Sequence, residues 1–234
     1  MTRAEWRCHD DPGAFAEAVA GDVSVIVRRS VGERGRSLLA LPGGSTPRPI
    51  FRHLAAAALP WEAVTLIPTD ERLVELGLEL SNARLLKESF AGTDAKVVPI
   101  ADGEPEPGRA GDVADARLQE LPWPPALVWL GMGEDGHTAS IFAGPDLQAA
   151  LDAPAVRRAV GVRPDPLPPE APVARVTLTR SAIASADAVL VSITGEKKRA
   201  LLEQALTEGS DSDLPIGRVL ADLRQPPTIH WCSA

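Results

Sequence analysis

Short apolar runs alternate along the chain with segments whose apolar residues recur at helical spacing. The runs that predict buried strands are residues 37–41, 63–67, 96–100, 126–130, 173–178 and 188–193. Helices are predicted from Pro47, after a Ser81 N-cap, over residues 111–121 and over residues 196–206. This repeated strand-then-helix order predicts an α/β fold, in which a mostly parallel sheet carries helices on both faces within one domain spanning residues 1–234.

Four further segments refine this picture. The apolar residues between Val23 and Val31 fit either a helix or a strand, and their spacing favours a helix. Pro99 predicts that the run 96–100 lies near an edge of the sheet, because proline cannot donate to a strand ladder. The proline-rich segments 103–108 and 163–169 predict surface loops.

Composition limits the classes of partner. The chain has 234 residues, 44% of them hydrophobic, and a formal net charge of −8. That charge argues against a nucleic-acid partner, and an anionic substrate would need positive side chains concentrated at its site. Residues 1–6 lack the apolar core of a signal peptide, and no run approaches the ~20 apolar residues of a membrane span, so a cytoplasmic protein without a membrane partner is expected. Cys8 and Cys232 are expected to be reduced thiols rather than a disulfide.

The segment Gly131–Ser140 carries the strongest chemical signal. It follows an apolar strand, and its three glycines allow a sharp turn that displays Asp135 and His137. Ligands of open α/β sheets bind just beyond the carboxyl ends of the strands. His137 can act there as a general base toward water, with Asp135 orienting it or holding its charged form. The alternative is a helix-capping aspartate beside a structural histidine. The other three histidines show no ligand spacing, so no metal site is predicted.

A second candidate is the glycine-hydroxyl loop that follows the strand 37–41. Gly43 and Gly44 free the backbone, and Ser45 and Thr46 precede a helix start. Exposed backbone N–H groups and the helix dipole favour an anion at such a place. The alternative is an ordinary tight turn in which Thr46 caps the helix. The lysine that ends a Walker loop is missing.

Charged residues at other strand ends complete the set of candidates. Asp70 and Arg72 follow the strand 63–67, and Arg72 could grip a phosphate or carboxylate in a fork. Arg175 begins a predicted strand, and Lys197 lies in the first turn of a predicted helix, where a cation opposes the helix dipole unless it serves an anion. The alternatives are a solvated turn with local ion pairs and ordinary surface cations.

Taken together, these stretches resemble the 6-phosphogluconolactonase family, within the broader glucosamine-6-phosphate isomerase/deaminase group. The resemblance extends from about residue 15 to the carboxyl end, and the Asp135–Ser140 motif is its most specific part. Where the family often has proline after the phenylalanine of this motif, Phe142 is followed by Ala143. The matching stretches are residues 43–47, 70–72, 81–82, 131–140, 175–179 and 195–197.

The resemblance implies a Rossmann-like domain that needs neither a cofactor nor a metal, in a monomer or homodimer. The implied reaction is hydrolysis of 6-phosphoglucono-δ-lactone to 6-phosphogluconate in the oxidative pentose phosphate pathway. His137 matches the general base of the family and Asp135 its partner. On that reaction His137 would take a proton from the water that attacks the lactone carbonyl, and backbone N–H groups of the Gly43-Gly44 turn could stabilise the oxyanion. The positions expected to hold the sugar phosphate are Gly43, Gly44, Ser45, Thr46, Asp70, Arg72, Arg175 and Lys197.

Two other functions fit parts of the sequence. Amino-sugar-phosphate isomerases or deaminases share the glycine loop and the Asp-Gly-His motif, but their histidine motif typically continues into an Asn-Glu-Pro run. Here it continues Thr138–Phe142 without a carboxylate. A silent sugar-phosphate sensor could dispense with the base, and such domains occur fused to DNA-binding modules that this chain lacks. The presence of both Asp135 and His137 favours the lactonase.

Overall fold

A parallel sheet forms the centre of the computed structural model, which describes residues 3–101 and 103–233. Met1 and Thr2, part of the segment examined for a signal peptide, lie outside the described residues. The strands are β1 (Glu5–His9), β2 (Ser37–Leu41), β3 (Val64–Pro68), β4 (Asp70–Arg72), β5 (Lys96–Val97), β6 (Leu127–Leu130), β7 (Ala159–Val162), β8 (Arg175–Leu178), β9 (Val189–Thr194) and β10 (Thr228–Cys232). Within the described ranges, seven of them form the main sheet in the order β1-β10-β9-β6-β2-β3-β5, all parallel.

Helices cover both faces of the main sheet. They are α1 (Pro12–Arg34), α2 (Pro47–Ala55), α3 (Asn82–Ser89), α4 (Pro107–Gln119), α5 (Leu147–Leu151), α6 (Arg180–Ala184), α7 (Glu196–Glu208) and α8 (Pro215–Ala221). Side chains alternate across β2, so Leu39 and Leu41 pack with α1, α2 and α3, while Leu38 and Ala40 pack with the core that includes α4 to α8. Both faces are therefore buried, and the predicted α/β fold is confirmed.

Most predicted elements are present, with shifted bounds. The helix favoured over Val23–Val31 is confirmed as part of α1. The run 96–100 pairs only over Lys96–Val97 and lies at the sheet edge, as Pro99 predicts. The segment 103–108 is not entirely a loop, because Pro107 already opens α4. Each helix in the described part of the chain is too short or too polar to span a bilayer.

The two cysteines lie on neighbouring strands. Cys8 is paired in register with Trp231, and Cys232 with His9. Since paired residues of parallel strands share a face and successive residues alternate, Cys8 and Cys232 point to opposite faces of the sheet. This geometry keeps them apart, and both are unpaired thiols as expected.

A small antiparallel sheet, β4-β8-β7, lies against the carboxyl edge of the main sheet. Thr69 joins the two sheets: its backbone N–H donates to Leu41 O at 2.9 Å, and its carbonyl accepts from Leu178 N at 3.0 Å. The chain thus passes from β3 into β4 within one residue. This places the charged residues of β4 and β8 beside the ends of β2 and β3.

A pair of histidines, buried His230 and partly exposed His9, connects strand β10 with the edge strand β1. His230 Nε2 lies 2.9 Å from Asp22 Oδ2, and His230 Nδ1 lies 3.1 Å from His9 Nε2. One ring nitrogen of neutral His230 can donate to Asp22 while the other accepts from His9. Burial lowers the pKa of the His230 imidazole below its usual range, and the hydrogen bond to Asp22 offsets this only in part.

We therefore expect the free energy of unfolding to fall as the pH is lowered from 7.5 to 5.5. Below the ordinary histidine pKa of about 6.5 the unfolded chain binds a proton that folded His230 resists, so acid favours unfolding. Urea unfolding at both pH values should show a smaller decrease for His230→Gln than for the parent. His53→Gln, at an exposed position of α2, is the matched control. Equal pH dependence in the parent and His230→Gln would contradict this assignment.

Candidate active site

A cavity of about 250 Å³ opens at the carboxyl ends of β2, β3, β6 and β9, where ligands of open α/β sheets bind. Its walls come from the loops after these strands, from the small sheet and from the first turn of α7. The described residues that line it are Pro42, Gly43, Gly44, Ser45, Thr46, Pro47, Thr69, Asp70, Arg72, Asn82, Gly131, Met132, Gly133, His137, Ala139, Glu170, Arg175, Ser192, Ile193 and Lys198.

The turn after β6 holds Asp135 and His137 in direct contact. Gly133 N donates to His137 O at 2.9 Å, and Gly136 takes a φ of +76°, which closes the turn. Asp135 Oδ1 accepts from the His137 backbone N at 3.2 Å and lies 2.5 Å from His137 Nδ1. With the Nδ1 proton directed at Asp135, Nε2 of a neutral His137 is the nitrogen able to accept a proton.

The electrostatics of this pair favour an ionised aspartate. Burial raises the pKa of the Asp135 carboxyl, but the hydrogen bond and charge of His137, together with backbone hydrogen bonds, outweigh it and lower the pKa below its usual range. The His137 side chain is 24% exposed. The pair therefore combines a fixed carboxylate with an imidazole that reaches the cavity.

Glycine is required where the imidazole packs on the turn. A Cβ on Gly133 would lie 2.2 Å from both Nδ1 and Cε1 of His137. The ring thus rests directly on the Gly133 backbone, and any side chain there would displace it.

The loop after β2 contributes its backbone and its hydroxyls. A Cβ on Gly43 would lie 1.9 Å from Asn82 Oδ1, and Gly44 has a φ of +88°, so both positions require glycine. Thr46 already has helical dihedral angles, and among the described residues its side chain makes no capping hydrogen bond. Thr46 therefore occupies the N-cap position of α2 without capping it through its side chain, and it lines the cavity.

Two arginines of the small sheet converge on the cavity. Arg72 and Arg175 are directly paired in the β4–β8 register, and Arg175 is only 3% exposed. Arg175 donates to Ala171 O at 3.0 Å, and Arg72 donates to Leu80 O at 3.2 Å and to Asn82 Oδ1. Within the described part of the chain the buried Nε atoms of both arginines have no hydrogen-bond partner. Paired guanidinium groups with unused donors suit an anionic ligand.

Acidic neighbours balance part of this charge. Asp70 is buried, and its Oδ2 accepts from Ser140 Oγ at 2.5 Å. Burial lowers the pKa of the Arg175 guanidinium below its usual range, and the charge of Asp70 offsets that effect only in part. The charge of Asp70 therefore attracts the Arg175 guanidinium, while one of its carboxylate oxygens accepts the hydrogen bond from the Ser140 hydroxyl.

Glu71, between Asp70 and Arg72, has a different task. Its carboxylate accepts from the backbone N–H groups of Asn82 and Ala83, each at 2.7 Å, and from Ser81 Oγ at 3.0 Å. Burial raises the pKa of the Glu71 carboxyl, and these hydrogen bonds offset the rise in part. It anchors the start of α3, where Ser81 is the N-cap as predicted, and so holds Asn82 at the cavity.

The lysine at the cavity is one residue away from the predicted one. Lys197 is 68% exposed, and its Nζ lies 2.5 Å from Glu134 Oε2. Lys198 lines the cavity instead, because successive helix residues point about 100° apart. Glu170, in the loop before β8, also lines the cavity and carries no recognisable motif. Among residues 3–101 and 103–233, no three His, Cys, Asp or Glu side chains are grouped so as to hold a metal ion.

Comparison with known proteins places these residues in a family. A model described as glucosamine-6-phosphate isomerases/6-phosphogluconolactonase matches residues 10–231. The chain belongs to this family. The family resemblance that its motifs carry is thereby confirmed.

Relatives match this family member over nearly its whole length. The 6-phosphogluconolactonase of Rhizobium meliloti (strain 1021) is 34% identical over 232 residues, which cover 97% of this chain and 98% of that protein. The 6-phosphogluconolactonase of Pseudomonas putida is 36% identical over 226 residues, covering 95% and 90%.

Solved structures agree with the fold. A 6-phosphogluconolactonase from Shewanella baltica OS155 superposes with a TM-score of 0.89 at 31% identity, covering 98% of this chain and 97% of that one. A monomeric glucosamine-6-phosphate deaminase superposes with a TM-score of 0.78 at 18% identity, which shows a shared fold alone.

Proposed function

We propose that this protein hydrolyses 6-phospho-D-glucono-1,5-lactone to 6-phospho-D-gluconate, a step of the oxidative pentose phosphate pathway. The enzyme class, 6-phosphogluconolactonase, is the one that its relatives of that name indicate. The observation that carries the proposal is the imidazole of His137, hydrogen-bonded to Asp135, in the same cavity as buried Arg175 and half-buried Arg72, whose Nε atoms have no hydrogen-bond partner among the described residues. One side of this site can move a proton, and the other can bind a phosphate.

In the proposed mechanism His137 Nε2 takes a proton from water, and the resulting hydroxide forms a bond to C1 of the lactone. The carbonyl electrons move onto oxygen, and backbone N–H groups of Gly43 and Gly44 stabilise the oxyanion. When the carbonyl re-forms, the bond between C1 and the ring oxygen breaks. The imidazolium returns its proton to that oxygen, and Asp135 holds the charged ring in the interval.

The position of Ser140 supports attack by water rather than by a serine nucleophile. Ser140 Oγ is buried and donates to Asp70 Oδ2 at 2.5 Å. Ser140 is not among the described residues that line the cavity, and its hydroxyl is engaged by Asp70, so no acyl-enzyme step is assigned to it.

The phosphate is assigned to the cationic side of the cavity. We place the phosphate among Arg72, Arg175 and Lys198, with Ser45 and Thr46 as hydroxyl donors. Asp70 acts on the phosphate only indirectly, by attracting the Arg175 guanidinium. The role in phosphate binding that the sequence motif suggested for Lys197 is thus assigned to Lys198, because Lys197 forms an exposed ion pair with Glu134.

The activity is tested with lactone generated by glucose-6-phosphate dehydrogenase, from which spontaneous hydrolysis is subtracted. The folded protein should accelerate disappearance of the lactone. An unchanged rate with well-folded protein would reject the lactonase, and binding of amino-sugar phosphates would then be examined.

The two neighbouring lysines form a matched pair for the phosphate assignment. We expect Lys198→Ala to raise KM by about tenfold with little change in kcat, because the phosphate is held equally in the ground and transition states. Lys197→Ala should leave both constants near those of the parent, since it removes only an exposed ion pair. Steady-state kinetics of both variants decide the matter: a raised KM in Lys197→Ala alone would reverse the assignment.

A further inference from the structure

Phe142 lies in contact with both chemical halves of the cavity. Its ring centroid is 4.2 Å from that of the His137 imidazole, and the two planes are inclined by 25°. The guanidinium carbon of Arg175 lies 5.2 Å from the same phenyl centroid. Phe142 is not one of the described residues that line the cavity, so it touches the imidazole and the guanidinium rather than the space for a substrate.

The backbone returns Phe142 to the imidazole by a tight fold of the segment between them. Ala139 takes a φ of +48°, and Thr138 and Ile141 form an antiparallel bridge. Thr138 Oγ1 donates to Gly131 O at 2.8 Å, which ties this fold to the end of β6. The Phe142 ring is therefore carried by a braced turn.

Asp135 by itself does not fix the imidazole plane. It holds one atom, Nδ1, and its own side chain is 59% exposed. A ring that is bonded at Cγ and hydrogen-bonded at Nδ1 can still tilt about the line through these two atoms, and such a tilt would displace Nε2. Gly133 limits the ring on one side, and the stack on Phe142 limits the tilt of its plane.

We propose that Phe142 is a positioning residue, which holds the His137 imidazole at a set orientation relative to the Arg175 guanidinium. This inference rests on the proposed function. The face of a phenyl ring also attracts cations, so the stack favours the imidazolium that forms when water is deprotonated. Arg175 has a second anchor in the carbonyl of Ala171, whereas the plane of His137 depends on Phe142.

The test compares Phe142→Leu, which removes the π face, with Phe142→Tyr, which keeps it. We expect Phe142→Leu to lower kcat by about tenfold, since small misplacement of a catalytic group is costly, while KM stays nearly constant because Arg175 remains anchored. Phe142→Tyr should retain a kcat close to that of the parent. A merely structural role would lower stability without this separation of kcat from KM.

Proton NMR of the imidazoles gives a second readout that does not depend on activity. The chain has four histidines, and the His137 resonances are those missing from the spectrum of His137→Ala. Loss of the phenyl ring current should shift them in Phe142→Leu and leave them near their parent positions in Phe142→Tyr.

Two results would overturn the inference: a kcat of Phe142→Leu equal to that of the parent, or His137 resonances that do not move. If Phe142→Leu fails to fold by circular dichroism, Phe142→Met replaces it, because methionine fills the space without an aromatic face. Failure of the proposed function is distinct, since the parent itself would then be inactive while the NMR comparison still tests the stack.

Discussion

Replacing His137 by alanine is expected to lower kcat for lactone hydrolysis by about 10²–10⁴-fold, the range over which a positioned general base acts. The side chain is 24% exposed and lies on a turn, so its loss should leave the fold and the thermal midpoint nearly unchanged. KM should change little, because the residues proposed to bind the phosphate are unchanged. The measurement is the initial rate of lactone disappearance with spontaneous hydrolysis subtracted, compared between the parent and His137→Ala.

His53→Ala is the control for loss of an imidazole as such, since His53 is exposed on α2 and is not among the described residues of the cavity. It should hydrolyse the lactone at the parental rate. If the activity of His137→Ala were within a few-fold of that of the parent, the lactonase activity would stand, but His137 would not be its general base.

The second large effect is expected from a single methyl group on the turn. In Gly133→Ala the new Cβ would stand 2.2 Å from Nδ1 and Cε1 of His137 and 2.5 Å from Asp135 Oδ1. The imidazole must move away and lose its contact with Asp135. A displacement on the order of 1 Å at a reacting group costs about 10²-fold, so kcat should fall by that much although the side chains of His137 and Asp135 are both still present.

Gly131→Ala is the control that distinguishes displacement of the His137 ring from simple crowding of the cavity by an added methyl group. Gly131 also lines the cavity, but an added Cβ there meets no described atom within 4 Å. Its kcat should stay close to that of the parent. Equal losses in the two variants would indicate that crowding is the cause, and a parental kcat in Gly133→Ala would show that the ring tolerates the shift.

The interior of the fold was predictable because its signal is local. Strands β2, β6 and β9 are buried on both faces, and most of their residues are apolar, so that they read as strands in the sequence. The edge strand β1 has the sequence Glu-Trp-Arg-Cys-His, whose residues are partly or fully exposed, and no apolar run marks it. Strand β4 comprises three charged residues that become a strand only by pairing with β8, about a hundred positions further along the chain.

The site divides in the same way. The contact between Asp135 and His137 was predictable, because the two residues are close in the sequence, a turn brings them together and both belong to the glycine-rich motif. The motif does not set the rotation of α7, and so the lysine was predicted one position from the one that lines the cavity. Glu170 reaches the cavity through a loop whose path depends on β8. The stack of Phe142 on His137 depends on a reversal of the backbone at Ala139, whose positive φ could not be predicted from an alanine in the sequence.

The pairing of Arg72 with Arg175 has a consequence for any attempt to make this protein more robust. Like charges directly opposite each other on adjacent strands oppose folding, and Arg72 acts on Arg175 in that sense. The attraction between Asp70 and Arg175 is the larger effect, so loss of Arg175 would leave a buried carboxylate without its cationic neighbour, whereas loss of Arg72 would relieve the repulsion. We therefore expect selection for heat resistance to remove Arg72 rather than Arg175, and with it one of the two guanidinium groups proposed to bind the anion.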